Sequence, residues 1–110
     1  MEVEKLIRDG RVAVLISQGY GAGWSTWNES NEEVRKLLLF DKDIANAVLE
    51  HNLGEATKIA EKKCKLLNDY VYLGGVDNLE VVWVDEGSMF WVEEYDGNET
   101  LVLSRQMDVA

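Results

Sequence analysis

The chain is 110 residues long with 46% hydrophobic residues, enough for one compact domain spanning 1–110 that buries roughly 65% of its unfolded surface. A formal charge of −10, from 11 basic against 21 acidic side chains, repels phosphate backbones and anionic lipid, so neither generic nucleic-acid binding nor membrane association is expected. Four Trp exclude a disordered acidic chain, and no apolar run approaches the roughly 18 residues of a spanning helix. Met1-Glu2-Val3-Glu4-Lys5 has neither the cationic start nor the apolar core of a signal peptide, which predicts a cytoplasmic protein. A single cysteine, Cys64, agrees with that: it can form no internal disulfide and has no thiolate partners for zinc.

Asp9-Gly10 signals a turn, and the β-branched run Arg11–Ser17 after it predicts a buried strand. Residues 18–28 form a loop with three alternating glycines and three aromatics, Gln18-Gly19-Tyr20-Gly21-Ala22-Gly23-Trp24-Ser25-Thr26-Trp27-Asn28. A helix follows from Asn31, with Val34, Leu37 and Leu38 on one stripe and Glu32 and Glu33 in its first turn. Asp41 is the expected N-cap of a second helix that buries Ile44, Ala45, Val48 and Leu49, with His51, Asn52 and Gly54 ending it. The third helix, opening at Glu55, carries Ala56, Ile59, Ala60, Cys64 and Leu67 on one side and Lys58, Glu61, Lys62 and Lys65 on the other.

After Gly74-Gly75 the pattern turns to β. Leu79–Val84, Met89–Tyr95 and Thr100–Leu103 are separated by Asp85-Glu86-Gly87-Ser88 and Asp96-Gly97-Asn98, which predicts a three-strand antiparallel meander. The expected fold is α+β: one antiparallel sheet of about four strands, with two to three helices on one face. The tail after Arg105 is expected to fray.

Residues 1–65 hold ten of the eleven basic side chains and eleven acids, whereas residues 66–110 hold Arg105 against ten acids. The acidic meander reads either as a solvated face that discourages aggregation or as a surface aimed at a basic partner. The inventory for catalysis is poor. His51 sits at a helix end, Cys64 lies on an apolar stripe, and strand alternation sends Glu93 and Glu94 to opposite faces. No catalytic residue, metal or cofactor is assigned.

The glycine loop follows a strand, as phosphate-binding loops do, but it has no Gly-Lys-Ser/Thr ending, and Trp24 stands where the dinucleotide fingerprint needs glycine. Its aromatics give it weight as a ligand site. Backbone amides of Gly19, Gly21 and Gly23 could hold phosphate oxygens, Tyr20, Trp24 and Trp27 could stack on a base, Ser25, Thr26 and Asn28 could hydrogen-bond ribose or base edges, and Tyr95 could add a wall. Equally, Trp24 and Trp27 could plug the core while the glycines allow a tight path.

Two segments, Val12–Asn28 and Glu93-Glu94-Tyr95-Asp96-Gly97-Asn98-Glu99, together with Leu39-Phe40-Asp41 and Leu79–Val84 between them, resemble a family of small proteins encoded by bacteriophages and prophages. The resemblance brings no catalytic residue with it. It implies a viral protein in a bacterial host's cytoplasm that counters host immunity. Two modes are expected: a homo-oligomer enclosing a small nucleotide-derived signal between subunits, or an acidic inhibitor presenting Glu80, Asp85, Glu86, Glu93 and Glu94 to a basic groove of a host defence protein. A small hydrolase of the same signals is a third class.

Overall fold

The computed structural model describes residues 3–67, 70–103 and 108–110. It is α+β, and among the described residues it contains three α-helices and two three-stranded antiparallel sheets rather than the expected single sheet. The first sheet runs β1 (Ile7–Arg8), β2 (Arg11–Ser17), β3 (Leu79–Asp85). The second has β4 (Met89–Tyr95) at its centre, flanked by β5 (Asn98–Val102) and β6 (Asp108–Val109).

The turns explain the split. Asp9-Gly10 and Asp96-Gly97 each place both residues at positive φ, +51° and +74° in the first, +51° and +86° in the second. That twist matches a two-residue hairpin, and each joins paired strands, β1 to β2 and β4 to β5. In the turn between β3 and β4 only Gly87, at +87°, is left-handed, although the Ser88 amide still donates to the Asp85 carbonyl at 3.0 Å. Such a turn splays its flanking strands. β3 therefore pairs with β2 in the register Val12↔Val84 to Ser17↔Leu79, and β4 departs into the second sheet. The meander expectation fails at this one turn.

β2 sits in the middle layer. Ala13 and Leu15 face the helices with Leu79, whereas Val12, Val14 and Ile16 face the second sheet with Val84, Phe90 and Val92. Burial on both faces is why its sequence is continuously apolar rather than alternating; each of these larger side chains contributes roughly 1.5–3 kcal/mol. The helices are α1 (Glu32–Phe40), α2 (Lys42–Leu49) and α3 (Leu53–Leu66). Asn31, Asp41 and Asn52 cap them, each side chain accepting amide hydrogens of the first turn. Gly54, expected to end α2, is the second residue of α3, because the Asn52 cap starts that helix earlier than Glu55. His51 ends α2 with φ +57°.

The C-terminal end is not frayed where it is described: Asp108–Val109 pair with β4 and Ala110 is buried. Residues 104–107, including Arg105, lie outside the described residues, as do Met1, Glu2, Asn68 and Asp69. Arg35 of α1 grips Asp108 through two bonds of 3.0 and 2.7 Å and also binds Glu32. These hydrogen bonds outweigh burial and hold the guanidinium pKa above its ordinary value.

Candidate functional site

Glu99 on β5 organises the glycine loop, and nothing in its local sequence predicts that role. It is 1% exposed. Its Oε1 accepts from the Ser17 amide at 2.8 Å; its Oε2 accepts from the amides of Trp24 at 2.8 Å and Thr26 at 3.1 Å and from the Thr26 hydroxyl at 2.6 Å. A buried carboxylate is tolerated only with such a complete set of donors. The loop is thereby wound around an acid supplied by the chain itself. This joins residues 17–26 and the β4–β5 hairpin into one knot.

Other contacts close the loop further. The Gly21 amide donates to the Asp96 carbonyl at 2.7 Å, and the Gln18 amide to the Asn78 carbonyl at 3.1 Å. A Cβ on Gly97 would overlap the Ala22 backbone, and one on Gly75 would overlap the Gly23 carbonyl, so these glycines allow backbone to touch backbone. Asn28 donates to the Trp24 and Tyr72 carbonyls and accepts from the Tyr72 amide at 2.8 Å.

The ten expected ligand residues divide accordingly. Trp24 does not face a ligand: it is 0% exposed, and its indole N–H donates to the Leu38 carbonyl at 2.6 Å inside the core. Gly23, Ser25 and Asn28 are also buried, and Thr26 is committed to Glu99. Gly19 packs on the Asn78 side chain. Gly21, Tyr20, Trp27 and Tyr95 reach the surface, Tyr20 being 71% and Tyr95 74% exposed. Trp27 stacks on Tyr72, with ring centroids 5.4 Å apart and planes 29° apart. Amides that a phosphate cradle would offer are therefore already engaged at Gly21, Trp24 and Thr26. The expectation of a base stacked on Trp24 is corrected: tertiary packing draws that ring inward.

The acidic residues also separate. Glu80 and Asp85 lie on β3, where Asp85 faces Arg11 at 3.5 Å, Glu86 lies in the turn, and Glu93 and Glu94 lie on β4. Alternation along β4 buries Phe90 and Val92 and turns Met89, Trp91, Glu93 and Tyr95 outward. Across β5, Val102, Thr100 and Asn98 stand opposite Trp91, Glu93 and Tyr95. Trp91, Glu93, Tyr95, Asn98 and Thr100, with Val92 and Glu94, line an open groove of about 570 Å³. Glu94, on the other face, accepts the Gly97 amide at 2.7 Å and fixes the hairpin. The sequence singles out Glu93 and Tyr95 separately; the period-2 alternation that joins them to Trp91 in one outward row is the signal that finds this face.

Among the described residues no group of His, Cys, Asp and Glu side chains is arranged to hold a metal ion, and no helix is long and apolar enough to cross a membrane. Comparison with protein-family models, curated proteins and solved structures finds no match for this chain.

Proposed function

We propose that this protein is a non-enzymatic binding protein whose acidic second sheet engages a basic surface of a partner protein, and that the partner is a host defence protein inhibited in the bacterial cytoplasm. The observation that carries the reading is the division of labour around Asp96-Gly97. The glycine loop commits the amides of Trp24 and Thr26 to Glu99 and that of Gly21 to Asp96, while the adjoining outer face of β4 and β5 offers aromatic and acidic side chains to solvent. Aromatic rings give large contact area at low entropy cost, and complementary charge speeds and orients association. The phage setting rests on the resemblance of the loop and hairpin segments.

The exposed Trp27–Tyr72 stack and Tyr20 favour a second reading, in which a flat heterocycle of a nucleotide-derived signal binds at the rim of the loop, enclosed by a second copy. Native mass spectrometry of the protein taken from cells producing such signals separates the two. Protein crosslinked to a partner in those cells, released by high salt and lost on reversing Glu93 to lysine, supports the first reading; a retained nucleotide mass overturns it in favour of the second.

A further inference from the structure

Resting on the protein-binding reading above, we infer that the groove on the outer face of β4 and β5 is a recognition site for an arginine side chain of the partner. The argument begins with spacing. Alternate residues of a strand stand about 7 Å apart on one face, so Glu93 is flanked by the rings of Trp91 and Tyr95, with Thr100 and Asn98 opposite on β5. A guanidinium laid on either ring meets the negative face of the π-system, and its planar N–H fork reaches the central carboxylate. The Thr100 hydroxyl and the Asn98 side-chain carbonyl add neutral acceptors on the far wall. An ammonium fits this row less well, because it is a compact, strongly hydrated point charge that cannot stack.

Two further observations favour a cation from outside. Among the described residues no lysine or arginine pairs with Glu93, whereas Glu4, Glu32, Asp41, Asp43, Asp85 and Asp108 each have one. Chain cations already sit over other rings, Lys5 at 4.3 Å from the Phe40 centroid and Arg8 at 5.8 Å from that of Trp83, yet none described sits over Trp91 or Tyr95. The segment 66–110, with ten acids against Arg105, adds a field that attracts a positive partner to this face.

The test is a titration of isotope-labelled full-length protein, followed by amide and indole NMR shifts, with the peptides acetyl-GRGRG-amide, its lysine counterpart and its citrulline counterpart. The arginine peptide is expected to shift the Trp91 indole and the amides of residues 91–100. The lysine peptide should bind about tenfold more weakly and the uncharged citrulline peptide not detectably. Glu93→Gln should weaken the arginine peptide about tenfold, and Tyr95→Ala several-fold, with melting temperatures unchanged. Equal affinity for arginine and lysine, or indifference to Glu93→Gln, overturns the arginine site while leaving a basic partner in place. Failure of both charged peptides to bind anywhere on the protein overturns the arginine site and the protein-binding reading with it.

Discussion

The glycine loop of residues 18–28 and the outer face of β4 and β5 lie on either side of the Asp96-Gly97 turn and contain similar residue types, yet tertiary structure puts them to opposite uses. In the loop, Trp24 and the carboxylate it meets, Glu99, are almost completely buried and satisfy one another's surroundings. On the face, Tyr95 is exposed, Trp91 is half-covered and Glu93 is directed to solvent between them. The comparison teaches that an aromatic, hydrogen-bonding composition does not by itself mark a ligand site. What decides is whether the donors and acceptors are used up within the fold.

The largest expected effect comes from taking the acid out of the knot. Glu99→Ala leaves the amides of Ser17, Trp24 and Thr26 without their acceptor, and unpaired buried donors of this kind should cost about 4 kcal/mol together. Thermal unfolding should show a melting temperature lower by on the order of 15 °C; a drop of only a few degrees would mean that the loop does not depend on Glu99. Next comes Gly97→Ala, which forces a side chain to positive φ and against the Ala22 backbone. Urea denaturation should register a loss of about 2–3 kcal/mol.

Smaller by design are changes on the face. Glu93→Gln and Tyr95→Ala remove exposed groups and should move stability by less than about 0.5 kcal/mol, so a large loss in chemical denaturation would make the face structural and erase the contrast. The smallest effect sharpens the comparison between a paired and an unpaired surface acid. The hydrogen bond from Arg35 holds the Glu32 pKa below its ordinary 4.5, so the stabilisation it supplies is present above that value and is lost as pH falls through the lowered one. Because Glu32 is 59% exposed, solvent screening keeps the contribution to a fraction of about 1 kcal/mol. Glu32→Gln should flatten the acid limb of a stability-versus-pH curve by that amount.

Much of the secondary structure was legible because it is written in local chemistry. Asp41 could be read as a cap and Asn31 as the start of a helix, the helical stripes have period 3.6, and both Asp-Gly pairs mark true hairpins. β1 and β6 escaped notice because each is only two residues long, too short to show alternation. The site was less legible. Glu99 looks in sequence like one more acid in an acidic hairpin, and its burial depends on donors 73 to 82 residues away.

By itself the sequence determined the α+β class, the order of the main elements and the imbalance that makes the C-terminal part acidic, since these follow from periodicity, capping and residue count. Tertiary structure alone decided that β3 and β4 belong to different sheets, because a turn with one left-handed residue aims its strands apart. It also decided that Trp24 is core while Trp91 lines a surface groove. A side chain's direction in a loop is set by what the rest of the chain packs against it, and no spacing within the loop encodes that.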